Sequence, residues 1–246
     1  MGVYNARGII IGHQNWREAD KFLSIYSEEY GKIKVMAKGA RKITSKLAGS
    51  LEPLILANIM VARGKNNDTV VGSDVIINFK NTKNNLAKVW LAGFFCNLID
   101  SSTKEHQKDT RIFQLLLESL HYLEAADIGD DKLTMVKFYF VWRYLVSLGY
   151  QPELYKCQVC GLKILPGANY FSNKRGGVLC HDCYSRLKEG VSISENAMKV
   201  LRLIHSSLLK EAGRLKLTKP LSTELLSLTD DFLDYMLEDK ISGISK

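Results

Sequence analysis

Four cysteines carry the clearest chemistry in the sequence. Cys157 and Cys160 form one C-x₂-C pair, and Cys180 and Cys183 form a second pair after a spacer of 19 residues. Each pair can present two thiolates on a tight turn, and two such turns complete a tetrahedral shell around Zn²⁺. Because a shell of four cysteines leaves no open position for water or substrate, we expect a structural zinc ion and not a catalytic one.

Two other interpretations of the cysteines are weaker. A redox dithiol is disfavoured because two pairs are present and neither is expected to open a helix in a thioredoxin-like βαβ context. His181 could replace one ligand, although four cysteines are already available. The fifth cysteine, Cys96, lies in an apolar stretch and is expected to be a buried small hydrophobic residue.

A second group of residues is basic. Six cationic side chains fall within fifteen residues that contain no acid: Lys32, Lys34, Lys38, Arg41, Lys42 and Lys46. Flexible cations of this kind neutralise phosphates without reading the base sequence. A merely solvated charged face is the alternative, and the absence of interleaved acids counts against it. We therefore predict that this segment contacts a polyanion.

The distribution of charge supports a localised basic surface. The 246-residue chain has a net charge of +8, and residues 1–80 carry 12 Lys and Arg against 7 Asp and Glu. Residues 151–190 carry 6 against 3, whereas the remaining segments are balanced. The length allows one large domain or two to three small ones, and the composition is that of a globular protein. No membrane span and no signal peptide are recognisable, so a cytoplasmic location is expected.

The first third of the chain predicts strands, at residues 6–12, 21–26, 32–37, 54–63 and 69–79. Five short strands in about 80 residues, with a longer connection between the third and the fourth, are typical of a small closed barrel of OB type. An SH3-like barrel would give nearly the same pattern, so the sequence pattern leaves both open.

After residue 80 the apolar period becomes helical. Helices are predicted over residues 86–98, 112–123, 136–148, 196–209 and 221–237, with Ser194 and Ser222 as N-caps. Between the cysteine pairs, residues 169–172 and 177–179 predict a short hairpin. The expected fold class is α+β, with an OB-fold domain at 1–80 and a helical domain at 81–246 that a zinc motif interrupts at about 155–190.

The basic segment also carries a family resemblance. Tyr30-Gly31-Lys32, residues 37–42 (AKGARK) and residues 47–53 (LAGSLEP) resemble the hallmark stretch of the RecO family of bacterial recombination mediators. Residues 18–21 (EADK) are similar to the first hairpin of that family, and the cysteine spacing and surrounding helices also fit. The resemblance covers essentially the whole chain, and its N-terminal stretch is the specific part.

The resemblance implies an N-terminal OB-fold domain, a central helical domain and an inserted zinc motif. It implies binding of single- and double-stranded DNA, annealing of complementary strands, and work with RecR and single-stranded-DNA-binding protein to help load RecA. The six basic residues then become candidates for DNA contacts. The resemblance also implies a cytoplasmic protein that is associated with the nucleoid. Zinc cysteines come and go between members of this family, so their presence does not establish the activity.

Two further expectations follow from the resemblance. The helical domain should hold the acidic tail of single-stranded-DNA-binding protein, and the available basic candidates are Lys199, Arg202, Lys210 and Arg214. Aromatic residues that could stack on bases are sparse, and the candidates Tyr26, Tyr30 and Phe79 are each expected in the core. That scarcity favours contacts with the DNA backbone over base stacking.

No catalytic constellation emerges from the sequence. It contains no G-x-x-x-x-G-K-[ST] phosphate loop, no nucleophile elbow and no H-E-x-x-H motif, so we predict a binding protein that uses no nucleotide and is not an enzyme. Two alternatives stay open. One is a zinc-containing adaptor that binds only proteins, and the other is an RNA-binding protein, since an OB-type barrel does not distinguish DNA from RNA.

Overall fold

The first part of the chain is a β-barrel. The computed structural model describes residues 2–45, 47–125 and 129–237. Its first five strands are β1 (Val3–Trp16), β2 (Asp20–Ser27), β3 (Gly31–Ala37), β4 (Ile55–Ala62) and β5 (Thr69–Asn78). Strand β1 extends beyond the predicted end at residue 12, because the residues up to Trp16 pair with the first half of β2.

The order of these strands distinguishes between the two candidate barrels. The strands close in the order β1-β2-β3-β5-β4, and β4 pairs back onto β1. Strands β3 and β5 pair in parallel at Met36 and Thr69, whereas the other neighbouring pairs are antiparallel. This closure is the OB arrangement, so the predicted OB-type barrel is confirmed. Inward-facing aliphatic residues such as Leu23, Val35 and Ile59 fill its interior.

Three helices follow the barrel: α1 (Lys80–Lys83), α2 (Leu86–Ser102) and α3 (Thr110–Ala125). The Asn85 side chain caps α2 by accepting a hydrogen bond from the backbone N–H of Lys88. Helix α2 packs on β1, and α1 and α3 pack on each other and on α2. Cys96 is buried in α2 as expected, and burial raises the pKa of its thiol to about 12.

The chain divides into two compact units near residue 126. The first unit contains the barrel and α1 to α3, because α2 packs on β1 and the other two helices pack on α2. The change from strands to helices at residue 80 lies within this unit, and the domain boundary predicted there stays a prediction.

The second unit combines helices with a small sheet. Its elements are α4 (Asp130–Ser147), β6 (Asn169–Ser172), β7 (Gly177–Cys180), α5 (His181–Leu187), β8 (Val191–Ile193), α6 (Glu195–Ser206), α7 (Leu209–Ala212) and α8 (Lys219–Leu237). Strands β6 and β7 form the predicted hairpin, and β8 pairs on the other side of β6. Helix α4 is apolar on most faces and lies in the core, as expected. None of the described helices is both long and apolar enough to cross a membrane.

The helix boundaries test the capping predictions. Ser194 caps α6 by accepting a hydrogen bond from the N–H of Ala197 at 3.1 Å, as predicted. Ser222 lies inside α8, which already begins at Lys219, so that prediction was wrong. Pro220 is in the first helical turn, where its missing N–H has no intrahelical partner to lose. The helix predicted over 196–209 is also divided, because α6 ends at Ser206.

Candidate metal site and nucleic-acid interface

The four paired cysteines converge in the second unit. Their sulfur atoms all lie within 4.8 Å of one another, and the Sγ atoms of Cys160 and Cys180 are 3.9 Å apart. Zinc–sulfur bonds of about 2.3 Å in a tetrahedron place the sulfurs about 3.8 Å apart, so the cluster fits such an ion. A disulfide would need sulfurs at about 2.05 Å. The predicted four-cysteine motif is therefore present with a geometry that could hold a metal ion.

Local backbone geometry positions the first pair. Cys157 donates its N–H to the carbonyl of Leu162 at 2.8 Å, and its own carbonyl accepts from the N–H of Gly161 at 2.9 Å. Gly161 has a φ of 72°, a left-handed conformation that glycine adopts without strain. This tight turn brings Cys160 back toward the second pair, where Cys180 ends β7 and Cys183 lies in α5.

Hydrogen-bond donors contact the sulfurs of Cys157 and Cys183, and the pKa values of these two thiols shift in opposite directions. Burial by itself would raise the pKa of Cys157, but backbone N–H groups of Cys160, Cys180 and Val159 lower it to about 6. The N–H of Cys180 lies 3.4 Å from that sulfur. The Arg186 guanidinium donates to the Sγ of Cys183 at 3.3 Å, but burial and the neighbouring cysteines outweigh this contact and raise the pKa of that thiol to about 12. Since the thiolate is the form that binds metal, the donors favour the binding form at Cys157, whereas Cys183 would have to lose its proton to a bound cation.

The structure also bears on the two weaker interpretations. His181 is exposed, its Nε2 is 3.4 Å from the Oγ of Ser185, and the metal-binding group found among the described residues contains only cysteines. Helix α5 begins directly after Cys180, so the second pair does lie at the start of a helix. The neighbouring strands β6, β7 and β8 are all antiparallel, however, so the thioredoxin-like βαβ context is absent from this sheet.

Residues 151–190, which contain the four paired cysteines, are called the cysteine lobe. This lobe packs on the helical core through Phe171 of β6. The Phe171 ring meets Trp142 of α4 edge-to-face at 5.9 Å and Phe232 of α8 at 5.3 Å. Trp142 and Phe232 stack on each other at 5.1 Å, and the Trp142 indole donates to the Oγ1 of Thr229 at 2.9 Å. The sheet that carries Cys180 therefore supplies one wall of the core of the second unit.

The predicted DNA-contact residues lie on β3 and on the loop that follows it. Four of them are exposed, and among the described residues no carboxylate forms an ion pair with any of the four: Lys34, Lys38, Arg41 and Lys42. We call these four residues the basic surface. Lys46 lies outside the described residues.

Hydrogen bonds hold the loop of the basic surface against the β1–β2 turn. Gly39 has a φ of 66° and donates its N–H to the Oδ1 of Asp20 at 2.8 Å. The N–H of Arg41 donates to the carbonyl of Ala19 at 2.9 Å, and its guanidinium donates to the carbonyl of Arg17 at 3.1 Å. These hydrogen bonds fix the backbone of the loop that carries Lys38, Arg41 and Lys42.

Lys32 differs from its neighbour Lys34. Its ammonium pairs with the Asp100 carboxylate at 3.4 Å and also donates to the Asp100 carbonyl, and its side chain is only 13% exposed. The Lys32 carbonyl accepts from the N–H of His106 at 2.8 Å. Gly31 makes this approach possible, because a Cβ there would lie 2.0 Å from the carbonyl oxygen of Gln107. Helix α2 and the segment after it therefore cover this half of the strand face.

We expect the two lysines to respond differently to truncation. Lys32→Ala should lower the free energy of unfolding by about 1–2 kcal/mol, because it leaves Asp100 without its partner. Lys34→Ala is the matched control on the same strand and should change stability by less than about 0.5 kcal/mol. Urea unfolding of both variants measures the difference, and equal stabilities would contradict a structural role for Lys32.

Two of the predicted partner-binding residues line a cavity. A cavity of about 90 Å³ is lined by Ile164, Leu165, Pro166, Glu195, Met198, Lys199 and Arg202. Arg202 donates to the carbonyl of Leu154 at 3.1 Å, and Lys199 lies 4.0 Å from Glu195. Lys210 and Arg214 are exposed but do not line this cavity. The structure thus brings an apolar cavity and two of the four cations together.

The three aromatic residues considered as stacking candidates are buried or half-buried, and a different aromatic residue is exposed on the barrel. Tyr26 and Phe79 are buried as expected, and Tyr30 is half-buried against Tyr4. Trp16, which was not among the predicted stacking candidates, is 43% exposed at the end of β1. Strict alternation from the inward-facing Ile10 would have placed Trp16 inside the barrel, but the bulge between Ile10 and Gly12 reverses the alternation and turns Trp16 to the outer face.

The barrel and the cysteine cluster together define an OB-fold protein whose helical part carries a four-cysteine motif. Comparison with known protein families identifies the family more narrowly. The model described as Recombination protein O N terminal matches residues 1–79, and Recombination protein O C terminal matches residues 83–242.

Whole-chain relatives agree with the family models. The chain is 36% identical over 222 residues to the DNA repair protein RecO of Dehalococcoides mccartyi, which covers 90% of this chain and 86% of that protein. It is 30% identical over 241 residues to the DNA repair protein RecO of Desulforamulus reducens, covering 98% and 92%. It is 32% identical over 236 residues to the DNA repair protein RecO of Roseiflexus sp., and the aligned region covers 96% of this chain and 82% of that protein. The chain belongs to the RecO family, which supports a role in DNA repair and recombination.

Proposed function

We propose that this protein is a recombination mediator that binds single- and double-stranded DNA through the basic surface. The observation that carries the proposal is the exposure of four cations along β3 and its loop, with no carboxylate pairing among the described residues. Unpaired cations on one end of a barrel are free to neutralise successive phosphates. Lys32 is held by Asp100 and has a structural role in this proposal, whereas Lys46 remains a candidate contact.

Annealing follows from the same surface without a nucleotide cofactor or a catalytic group. Two complementary strands repel each other through their phosphates, and a bound cationic surface screens this repulsion and raises their encounter rate. Base pairing then supplies the free energy. We propose that the protein works in this way with RecR and single-stranded-DNA-binding protein to help load RecA, and that it is not an enzyme.

We propose that the ion held by Cys157, Cys160, Cys180 and Cys183 is Zn²⁺. Four thiolates favour zinc over harder cations, and the closed shell leaves no position for substrate. When bound, the ion supplies a cross-link between the turn after Cys157 and the start of α5. The chain's own donors, the N–H of Cys180 and the Arg186 guanidinium, offset part of the thiolate charge.

Fluorescence anisotropy with labelled oligonucleotides tests the DNA-binding proposal. Matched single-stranded DNA, duplex DNA and RNA are titrated over a series of salt concentrations, and annealing of complementary strands is followed in parallel. We expect binding to both DNA forms that weakens with salt, and faster annealing in the presence of the protein. Binding to RNA alone would favour the RNA-binding alternative, and binding to none would favour the protein-only adaptor.

The cavity beside α6 is our proposed site for the acidic tail of single-stranded-DNA-binding protein. Ile164, Leu165 and Met198 offer an apolar surface, and Lys199 and Arg202 offer cations at its edge. Such a combination suits a peptide that is both acidic and apolar, because burial of its apolar end adds to charge attraction at the rim.

A substitution at this cavity should weaken capture of an acidic peptide. Lys199→Glu together with Leu165→Asp is expected to reduce affinity for a labelled acidic peptide with an apolar C-terminus at least about 10-fold, through lost attraction and lost apolar contact. Both side chains are exposed, so folding should be retained. Lys210→Glu, outside the cavity, is a control for reversal of a lysine charge. Equal binding by the double variant and the control would contradict this site.

A further inference from the structure

Trp16 lies on the surface of the barrel and is not part of its core. It lies at the last position of β1, its side chain is 43% exposed, and its ring meets Phe22 of β2 edge-to-face at 5.4 Å. Gln14 is the β1 residue that pairs with Phe22. Because side chains alternate along a strand, Trp16 projects from the same outer face as Phe22.

This aromatic pair is continuous with the basic surface. The Lys34 ammonium lies 5.6 Å from the centroid of the Phe22 ring. The Arg41 guanidinium donates to the carbonyl of Arg17, the residue directly after Trp16. One cation, on β3, therefore lies beside Phe22, and another, on the loop that follows β3, is attached next to Trp16.

The covering helices leave this part of the outer face open. Tyr26 and Lys32, which pair with each other across β2 and β3, are covered, and their polar ends contact Asp109 and Asp100 respectively. Phe22 and Lys34 lie further along the same two strands. A single exposed apolar residue is ordinary on a protein surface. Here, however, the tryptophan adjoins unpaired cations on a barrel face of the type that binds oligonucleotides.

We propose that Trp16 is a base-stacking residue for single-stranded nucleic acid, with Phe22 supporting its ring and the phosphates held by the basic surface. This inference rests on the proposed DNA-binding function and adds a contact with the bases. Base–aromatic stacking accepts any base, because every base has a π-face. Bases in a duplex are already stacked on one another, so Trp16 contributes only to the single-stranded mode. The sequence pattern favoured backbone contacts over base stacking as the main mode.

Abasic DNA separates stacking from phosphate binding. Trp16→Ala should weaken binding to oligo-dT by about 5- to 100-fold, the range expected for loss of one stacked base. Binding to a duplex and to an abasic oligonucleotide of the same length should be unchanged, and Trp16→Phe should restore most of the affinity for oligo-dT. Trp90→Ala is the control, because Trp90 is 64% exposed on α2 and lies outside this surface.

A fluorescence measurement tests the same contact without removing Trp16. In a Trp90→Phe protein the remaining tryptophans are Trp16 and the buried Trp142, and stacking on Trp16 should quench emission on addition of oligo-dT but not of abasic DNA. Equal quenching by both ligands, or a Trp16→Ala protein that binds oligo-dT like the parent, would overturn the stacking role while the DNA-binding function stands. A parent protein that binds no oligonucleotide would overturn both.

Discussion

Reversing the charge at Lys38, Arg41 and Lys42 together should weaken binding to single-stranded DNA about 100-fold at low salt. Each of the three exposed cations is expected to contribute about 1 kcal/mol through contact with a phosphate, and about 1.4 kcal/mol corresponds to a factor of ten. The substitution to glutamate also adds repulsion, so this value is a lower expectation. Anisotropy titrations at a fixed salt concentration measure the change.

The salt dependence gives an independent readout of the same variant. Each lost contact with single-stranded DNA removes about 0.7 from the slope of log K against log salt concentration, so the slope should become shallower by about 2. Duplex binding should weaken as well, because the same cations face the phosphates of both forms. Annealing should slow in proportion to the loss of binding.

A control with the same change in net charge separates a local surface from a general field. Lys104, Lys108 and Lys216 are exposed and lie outside the basic surface. Their combined replacement by glutamate alters the net charge equally and should change affinity by less than about 5-fold, because these side chains are expected to make no contact with a phosphate and exposed charges without such contact are largely screened by salt. If this control lost as much affinity as the first variant, the assignment of the basic surface would be wrong.

Loss of the metal ion that we propose for the four cysteines should have the largest effect on stability. We expect a Cys157→Ser, Cys160→Ser protein to lose at least about 5 kcal/mol of free energy of unfolding in the second unit, since structural zinc sites contribute about 10–16 kcal/mol in small zinc-binding peptides. Through Phe171 the effect should extend to the environment of Trp142, which near-ultraviolet circular dichroism can follow.

Metal analysis and DNA binding complete this experiment. The parent should carry about one zinc ion per chain and the double variant none, and Cys96→Ala, at a buried cysteine of the first unit, should keep its metal. DNA affinity should stay within about 2-fold of the parent if the barrel carries it. A double variant that remains folded but loses DNA binding would transfer the function to the cysteine lobe.

The cysteine lobe has fewer free cations than its composition suggests. Residues 151–190 carry 6 Lys and Arg against 3 Asp and Glu. Two of these cations, Lys174 and Arg175, pair with the carboxylate of Glu189 at 3.1 and 2.9 Å. The four residues of the basic surface have no such carboxylate partners among the described residues. This difference is why we place the first DNA contacts on the barrel.

Local patterns in the sequence were sufficient for the elements and for the ligands of the metal site. Period-two alternation predicted the strands, and paired cysteines at short spacing predicted the cluster, because both depend on residues that are neighbours in the chain. The boundaries were less secure. The sequence predicts Ser222 as a cap, whereas α8 already begins at Lys219, because propensities at a helix end are small compared with the tertiary contacts that extend it.

The closure of the barrel required the tertiary structure. An OB-type and an SH3-like barrel share the same string of strands, and only the parallel pairing of β3 with β5 at Met36 and Thr69 distinguishes them. That pairing joins residues far apart in sequence, and no local period encodes it. The cavity beside α6 also could not be predicted from local sequence, because two of its lining residues, Leu165 and Lys199, come from separate segments.

The cysteines and the run of cations were therefore determined by the sequence itself, together with the placement of Lys32 and Lys34 on one face of a strand. Which of the two lysines remains free was decided by the tertiary structure. Helix α2 brings Asp100 onto Lys32 and leaves Lys34 beside Phe22. The alternation of a strand fixes the direction of a side chain, but only packing between elements decides whether another chain segment or solvent lies in that direction.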